Sequence, residues 1–244
     1  MTALPGWDES TYTAEGRTFP TYRKGSGPGV VIIHEIPAIT PKVLRFAEDV
    51  VASGFTVVMP SILGTTPGEP PGAGNFLKSI TKVCVSSEFS CWALNKTSPI
   101  TIWLRALAKS LHEELGGPGV GALGMCYSGG FALAMMVDGH VAAPVLSQPS
   151  MPFATNAKHK ADLNLSPADL TKVKERVDAG CQVLGLRYKG DPMVGTRFTT
   201  LKQELGDGFL AVELEGKGHG VVTEQRDEPS VARVLEFFHE KLDA

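Results

Sequence analysis

The stretch Val120–Met136, VGALGMCYSGGFALAMM, decides the fold of this 244-residue chain. Its first part predicts a buried strand, and the run that begins at Gly129 predicts a helix. The chain must therefore turn sharply at Cys126, and such a turn accepts only small residues two positions before and two after the central one. Gly124 and Ser128 meet that need, and Gly129 lets the helix approach the sheet closely. The pattern predicts a nucleophile elbow with cysteine at the position where serine is commoner.

The same alternation of apolar runs and helical patterns continues along the chain. The runs are nearly continuous and rich in Val, Ile and Leu, which is typical of parallel strands covered on both faces. The predicted strands are Val30–Glu35, Phe55–Pro60, Val120–Met125, Val141–Ser147, Cys181–Tyr188 and Phe209–Leu214. The predicted helices are Pro41–Ala52, Pro99–Leu115, Gly129–Asp138, Pro167–Ala179, Thr196–Leu205 and Pro229–Leu242. Repeated strand–helix units predict an α/β fold with a single, mostly parallel sheet and helices on both faces, as one domain over residues 1–244.

Two segments depart from this alternation. Thr11–Arg23 is predicted to add a short antiparallel hairpin at the edge of the sheet. Residues 61–98 show no clear element; they include the Pro- and Gly-rich stretch GTTPGEPPGAGN, and their second half contains aromatic and apolar residues. Because loops of this length in compact domains are usually functional or flexible, we interpret residues 61–98, the cap segment, as a partly ordered cap or lid over a site. A surface excursion without a role is the alternative.

Composition and charge restrict the class of protein. The chain is 43% hydrophobic and 20% charged, which is ordinary for globular proteins and excludes general disorder. A formal net charge of −3 and a pI near 6.1 show no excess of basic residues of the kind that binds nucleic acid. No apolar run is long enough to cross a membrane, and the start, MTALPGWDES, lacks the features of a secretory signal. We expect a cytoplasmic protein that acts on a small molecule, and the sequence leaves its oligomeric state open.

The four cysteines, Cys84, Cys91, Cys126 and Cys181, are too few for a disulfide scaffold in a chain of this length. Their spacing contains no C-x-x-C pair, and none lies near two histidines, so a zinc site has little support. We therefore expect no metal ion and no organic cofactor. At the elbow, Cys126 would lie at a helix N-terminus, where the helix dipole favours a thiolate.

A nucleophile in this architecture needs a base and an acid, and ligands bind beyond the carboxyl ends of the strands. Asp191 follows the strand Cys181–Tyr188, and His219 follows the last strand; both lie in glycine-bearing loops. The order Cys126, Asp191, His219 is the nucleophile, acid, histidine order of this architecture. Asp207 is a competing acid, but it precedes a strand and so belongs at the wrong end of the sheet.

The first parallel strand ends in His34-Glu35-Ile36. The backbone N–H groups of Ile36 and Tyr127 are the natural donors for an oxyanion hole. A carboxylate such as Glu35 at the end of a buried strand is costly unless it has a partner. We interpret His34 as a packed strand residue without a catalytic role.

The motifs VIIHEI, GMCYSGG, GDPMV and GKGHG together resemble the dienelactone hydrolase (carboxymethylenebutenolidase) family of the α/β-hydrolase fold. The resemblance extends from about Gly29 to the C-terminus. It implies that Cys126, Asp191 and His219 form a catalytic triad and that Glu35 helps to activate the thiol. In the family, the resting cysteine is protonated and turned away from the histidine, and substrate binding displaces the glutamate, which then takes the thiol proton.

The sequence departs from the family where the substrate's carboxylate is bound. The archetype holds that carboxylate with arginines, one of them a few residues after the catalytic histidine. Here no arginine follows His219 until Arg226, and the cap segment contains none. Lys78 or Lys82 could substitute, although lysine lacks the planar fork of donors that arginine offers. Dienelactone itself is therefore open to question as the substrate.

These observations favour an ester or lactone hydrolase and leave two alternatives. One is a broader carboxylesterase or thioesterase on the same scaffold, which the missing arginines encourage. The other is a non-catalytic or redox-responsive protein that uses Cys126 as an oxidisable thiol. The Cys84 and Cys91 pair in the cap segment favours the second alternative, while the triad order argues against it.

Overall fold

A computed structural model describes residues 4–70 and 72–243, which form an eight-stranded sheet flanked by helices. The strands are β1 Asp8–Ala14, β2 Arg17–Lys24, β3 Gly29–Ile33, β4 Thr56–Pro60, β5 Val120–Met125, β6 Val141–Ser147, β7 Val183–Tyr188 and β8 Phe209–Leu214. The helices are α1 Pro41–Ala52, α2 Ala73–Val85, α3 Ile100–Leu115, α4 Gly129–Met135, α5 Ala157–Ala161, α6 Pro167–Asp178, α7 Arg197–Leu205 and α8 Glu228–Leu242.

The strand order is β1-β2-β4-β3-β5-β6-β7-β8, with β1 and β2 antiparallel and β3 to β8 parallel. The predicted parallel strands are confirmed, although β3 ends before Glu35 and β7 begins after Cys181. The predicted edge hairpin is also confirmed, and it is longer than Thr11–Arg23. The first two strands therefore extend one edge of an otherwise parallel sheet.

Helices cover both faces of the sheet, as predicted. Helices α1 and α8 pack their apolar residues on one face, and α3, α4, α6 and α7 pack on the other. The central strands β3, β4 and β5 are buried along their whole length, which explains their continuous apolar sequence. Among the described residues, no helix is both long and apolar enough to cross a bilayer.

Local signals place the ends of these helices. The Thr40 hydroxyl accepts a hydrogen bond from the Val43 N–H at the start of α1, and Ser166 does the same for the Asp169 N–H at the start of α6. Gly180, with φ of +99°, follows the end of α6 in the left-handed conformation that glycine adopts readily. Capping therefore gives both helices boundaries that the sequence shows directly.

The prediction that residues 61–98 have no clear element is wrong for α2. This 13-residue helix has no side-chain cap at its start, and only Ser79 and Val83 are buried along it. Its apolar residues Phe76, Ile80 and Val83 do recur at helical spacing, but the helix follows directly on the Pro- and Gly-rich stretch without a capping signal, so the sequence does not mark its start. The five-residue helix α5 was also missed. The role of the cap segment as a lid stays a prediction.

The order of the parallel strands reverses at the boundary between β3 and β5. Strand β4 lies on one side of β3, and β5 to β8 follow on the other side. Crevices at such switch points are where ligands bind in open α/β sheets. Ile33 pairs with Gly124 across this boundary, so the chain segments that follow β3 and β5 leave the sheet side by side.

Candidate active site

The turn after β5 has the strained geometry that the sequence predicts. Cys126 has a φ of +55°, in the left-handed region that residues with a Cβ rarely adopt. A Cβ on Gly124 would lie 2.0 Å from the Ser128 carbonyl oxygen, and one on Gly129 would lie 2.6 Å from the Cα of Pro149. Glycine is therefore required at both positions for the chain to turn this tightly.

Ser128 occupies a position where glycine is more often found, and its hydroxyl explains the difference. The oxygen accepts a hydrogen bond from the Met125 N–H at 2.9 Å. It also lies 3.0 Å from the Ile33 carbonyl oxygen and 3.1 Å from that of His34. The side chain thus joins the turn to the end of β3, the neighbouring strand.

Asp191 and His219 are brought together at the carboxyl ends of β7 and β8. The His219 Nδ1 lies 2.7 Å from the Asp191 Oδ2, and the Met193 N–H donates to Oδ1 at 2.9 Å. Their loops meet closely because Gly190 lacks a side chain: a Cβ there would lie 2.6 Å from the Gly216 carbonyl oxygen, to which the Gly190 N–H donates at 2.8 Å. With both oxygens bonded and only 4% of the residue exposed, Asp191 is fixed in one orientation.

The Asp191 carboxylate and a thiolate at Cys126 both favour the charged form of His219. Burial lowers its pKa, but the neighbouring Asp191 and Cys126 outweigh that effect and raise the pKa to about 10. The Nε2 atom has no hydrogen-bond partner among the described residues. The Gln225 Oε1 accepts hydrogen bonds from the N–H groups of His219 and Gly220, both at 3.0 Å, and so holds the loop. A free Nε2 on a fixed ring is suited to moving protons.

Glu35 is buried beside the same groups. Burial raises its pKa, and the Thr223 hydroxyl and His219 pull in the opposite direction. The Gln148 Nε2 donates to the Glu35 Oε2 at 3.3 Å. The carboxyl group predicted to need a partner therefore has one, and it lies where its protonation can respond to what enters the site.

A cavity of about 360 Å³ opens onto these side chains. Part of its lining consists of the reactive side chains of Glu35, Cys126 and His219. The remaining wall comes from the loop after β3, from α2 and from the loops after β6, β7 and β8; its polar residues are Thr40, Glu224 and Gln225. Its apolar lining consists of Ile36, Pro37, Phe76, Ile80, Phe153 and Met193.

The chain matches the model of the dienelactone hydrolase family over residues 17–170, more than half of its length. It belongs to the dienelactone hydrolase family. The predicted resemblance is confirmed, and membership makes the protein a hydrolase of the ester-cleaving kind. Comparison with curated proteins finds no match.

Solved structures share the fold. The structure is similar to that of a cold-adapted esterase from an Arctic intertidal metagenomic library, with 16% identity, a TM-score of 0.64, and 99% of this chain and 100% of that chain covered. It is also similar to a candidate dienelactone hydrolase from Klebsiella pneumoniae subsp. pneumoniae, with 15% identity, a TM-score of 0.61, and 96% and 97% covered. A thioesterase domain from the curacin biosynthetic pathway matches with 12% identity, a TM-score of 0.58, and 96% and 99% covered. At these identities the similarity shows the α/β-hydrolase fold, as predicted.

This dienelactone hydrolase family member has no lysine or arginine in the cavity wall, as far as the structure describes it. Lys82 donates to the Ile62 carbonyl at 3.2 Å, and Lys78 is exposed on α2. Arg226 is bound to Asp49 at 2.8 Å and to Glu228 at 2.9 Å. None of the three basic groups considered from the sequence therefore lines the cavity.

Two residues at the site escaped sequence reasoning. Gln148 follows β6 and is fully buried; besides Glu35, it contacts the loop of His219 by accepting from the Val221 N–H at 3.3 Å. Gln148 carries the same signal in the sequence as Asp191, because it is a polar residue that follows the end of a parallel strand. The other is Arg197, for which the sequence offers no signal.

Arg197 is a buried cation, 1% exposed, at the start of α7. Its guanidinium donates to six backbone carbonyl oxygens. They belong to Met151, Pro152, His159, Asp162, Met193 and Val194. One side chain thus joins the loop of Asp191 to the loop after β6 and to α5.

The cysteines of the cap segment are free. The Cys91 thiol donates to the Cys84 carbonyl oxygen at 3.4 Å. Burial raises the pKa of Cys91 to about 11, with a contribution from Cys84. Cys91 is therefore protonated at neutral pH, which disfavours the reactive thiolate that a redox sensor needs.

Proposed function

We propose that the protein hydrolyses a carboxylic ester or lactone through a Cys126–His219–Asp191 triad. The observation that carries this proposal is the meeting of a strained cysteine turn and a hydrogen-bonded His–Asp pair at one cavity. The family supplies ester hydrolysis in general. The triad order, nucleophile then acid then histidine, supports the individual roles.

The reaction begins with ionisation of the thiol. Glu35 takes the proton from Cys126 and passes it on to His219, because imidazole beside a thiolate, with a pKa of about 10, is the stronger base. The sulfur then attacks the carbonyl carbon, and the Ile36 and Tyr127 N–H groups stabilise the oxyanion. Collapse breaks the ester C–O bond, the leaving oxygen takes the proton from His219, and the acyl group remains on sulfur as a thioester.

Water completes the cycle. Neutral His219 removes a proton from a water molecule, and the resulting hydroxide attacks the thioester carbonyl. The second tetrahedral intermediate expels the Cys126 thiolate and releases the carboxylic acid, and the imidazolium of His219 then returns its proton to the sulfur, which restores the starting thiol. Asp191 holds the ring in the tautomer that keeps Nε2 available for both transfers.

The test compares wild type with Cys126→Ala, and with Cys181→Ala as a matched control, on p-nitrophenyl butyrate. Wild type and Cys181→Ala should turn over, and Cys126→Ala should lose nearly all activity while its melting temperature is retained. Intact mass spectrometry of quenched wild type should show one added butyryl group. A proteolytic digest should locate that group on the peptide that contains Cys126. Full turnover by Cys126→Ala would overturn the assignment of the nucleophile.

A thioesterase is the second candidate, since the same acyl-enzyme can form from a thioester. S-butyryl-N-acetylcysteamine, assayed beside the oxygen ester, separates the two. A higher kcat/KM for the oxygen ester supports the proposed ester hydrolase, whereas a marked preference for the thioester would replace it with a thioesterase.

A further inference from the structure

We infer that the natural substrate carries no negative charge and presents an apolar group to helix α2. This inference deepens the proposed function and rests on it. It follows from the charges and the apolar surface of the one cavity that contains Cys126.

Among the described residues, the cavity wall offers an anion no cation that is without a partner. Glu35 and Glu224 both line it. The basic lining group, His219, is already bonded to Asp191. At the mouth, the Lys42 ammonium is bound to the Glu224 carboxylate, so its charge is neutralised there. A substrate carboxylate would lose water beside Glu35, while the charge of His219 is already balanced by Asp191 and Cys126 and that of Lys42 by Glu224, which is unfavourable for the anion.

Apolar side chains occupy the mouth where a substituent would lie. Phe76 of α2 is 51% exposed and Met193 is 40% exposed, and both line the cavity. The Phe153 ring forms the wall behind them and is held edge-on by Trp92, with ring centroids 5.3 Å apart. Apolar surface gathered around one opening is typical of a ligand site, because a bound apolar group removes that surface from water.

The size of the cavity limits the substrate further. About 360 Å³ lies near the lower end of the roughly 300–1,000 Å³ that small-molecule sites occupy. An ester with a short or medium acyl chain and a single-ring alcohol or enol fits that volume. The substrate class is therefore a small, uncharged ester or lactone with one apolar side.

The charge is tested with a matched pair of esters. The p-nitrophenyl monoester of succinic acid ends in a carboxylate, and p-nitrophenyl levulinate replaces that carboxylate with a methyl ketone of nearly the same shape. Wild type should show a kcat/KM about tenfold or more higher for levulinate, since the anion has no partner in the cavity. Equal values, or a preference for the succinate, would overturn the inference.

Glu224→Gln sharpens this test, because it removes one acidic group and frees Lys42. The penalty on the succinate monoester should then shrink by about threefold or more relative to levulinate. If the ratio is unchanged in this variant, the acidic groups at the mouth do not set the preference.

The apolar contact is tested on α2 itself. Phe76→Ala should reduce the ratio of kcat/KM for p-nitrophenyl hexanoate to that for the acetate by about fivefold, which is the effect of losing one apolar contact. Leu77→Ala is the matched control, because Leu77 is 66% exposed on the same helix and does not line the cavity. An equal effect of the two variants would remove α2 from substrate binding.

Failure of the proposed function has a different signature. If wild type cleaves none of these esters, the proposed hydrolysis is wrong, and calorimetric binding of levulinate and succinate monomethyl esters to Cys126→Ala still tests the preference for an uncharged ligand. If wild type cleaves the succinate monoester best, the proposed ester hydrolysis is supported and the inference of an uncharged substrate is wrong.

A second inference rests on a different contact: we propose that His34 is a positioning residue for the oxyanion hole. Its Nδ1 lies 2.8 Å from the Glu35 carbonyl oxygen. A carbonyl oxygen only accepts, so Nδ1 carries the proton. The Glu35 carbonyl and the Ile36 N–H are the two ends of one planar peptide group, so a bond that fixes the oxygen also fixes the direction of the N–H.

The imidazole of His34 is itself held in place. It is buried, and its ring packs against that of Tyr127, with centroids 6.1 Å apart. Burial lowers the pKa of His34 to about 4, so the ring is neutral at ordinary pH. One rigid ring thus contacts the Glu35–Ile36 peptide group and the Tyr127 side chain, beside both N–H groups that are proposed to stabilise the oxyanion.

The test uses His34→Asn, whose amide keeps a donor at the place of Nδ1, and His34→Leu, which removes it. The leucine variant should lose about 10- to 100-fold in kcat with KM changed less than about twofold, somewhat less than the loss of a whole oxyanion donor. The asparagine variant should recover most of the loss even if both variants melt at the same lower temperature. Equal losses in kcat would show that His34 acts through packing alone.

Discussion

Asp191, at the carboxyl edge of the sheet, is 4% exposed and has both carboxylate oxygens bonded, whereas Phe76, on the helix that lines the same cavity, is 51% exposed. We call the carboxyl edge of the sheet with Cys126, Asp191 and His219 the catalytic edge, after their proposed roles. It is bonded from several sides, and Ser128 and Arg197 connect segments that are distant in sequence. Helix α2 buries only Ser79 and Val83. The comparison indicates that the proposed catalytic groups are rigidly held, whereas α2, which we propose contacts the substrate, is loosely attached.

The largest effect should come from the acid of the catalytic edge. Asp191→Asn should lower kcat by about 10⁴-fold, because the imidazole loses the tautomer and orientation that it needs. Asp207→Asn is the control, since Asp207 lies in the turn before β8 and should have no effect on kcat. Steady-state kinetics on p-nitrophenyl butyrate measure both, and near-normal turnover by Asp191→Asn would point to another acid.

The next largest effect is expected at Arg197, the buried cation at the same edge, and it concerns the free energy of unfolding. Arg197→Met should lower the free energy of unfolding by about 3 kcal/mol or more, because several buried carbonyl oxygens lose their donor. Arg233→Met, which breaks surface ion pairs with Glu236 and Glu240, should change it by at most about 1 kcal/mol. Urea unfolding compares the two, and equal losses would mean that the carbonyl bonds add little.

A smaller effect is expected at Glu35, where the catalytic edge meets the cavity. Burial raises its pKa above the ordinary value of 4.5, and the carboxylate is the form that accepts the thiol proton. The kcat/KM of wild type should therefore fall as pH decreases through a midpoint above 4.5. Glu35→Gln should slow acylation by about 10²-fold and remove that acid limb.

Stopped-flow release of p-nitrophenol across the pH range gives the acylation rate of both proteins. An acid limb that persists unchanged in Glu35→Gln would assign it to a group other than Glu35.

The smallest effects belong to α2 and test whether it is loosely attached. Val85→Ala, on its exposed side, should change the free energy of unfolding by less than about 0.5 kcal/mol. Val83→Ala, two residues earlier and fully buried, should cost about 1.6 kcal/mol for the two methyl groups removed from the core. A large loss from Val85→Ala would show that α2 is packed more firmly than its exposure indicates.

The catalytic edge was predictable because its signals are local. The glycine frame around Cys126 and the apolar runs that end before Asp191 and His219 are each contained in a few adjacent residues. Parallel strands then bring their carboxyl ends together whatever the rest of the chain does. Fold class and the residues that meet at the cavity therefore followed from the sequence.

The remainder depended on contacts between distant segments. Arg197 begins a helix as an ordinary surface residue would, and only the loops around Met151 and Asp162 bury it. Helix α2 was missed because it lacks a cap and begins directly after a Pro- and Gly-rich stretch that predicts a loop. His34 was interpreted as a packed strand residue, and its bond to the Glu35 carbonyl becomes visible only when the ring orientation is known.

The carbonyl bonds of Arg197 bear on how the enzyme could be redesigned. Met193 lines the cavity, and its own N–H supports Asp191 while its carbonyl binds Arg197. Phe153 directly follows Pro152, whose carbonyl binds the same guanidinium. Both positions therefore lie in the backbone network that joins Arg197 to Asp191, the proposed acid. Phe76 and Ile80 line the same pocket from α2, which is bonded to the Pro37 carbonyl through Ser79, so libraries that vary Phe76 and Ile80 should yield new substrate ranges with fewer inactive clones.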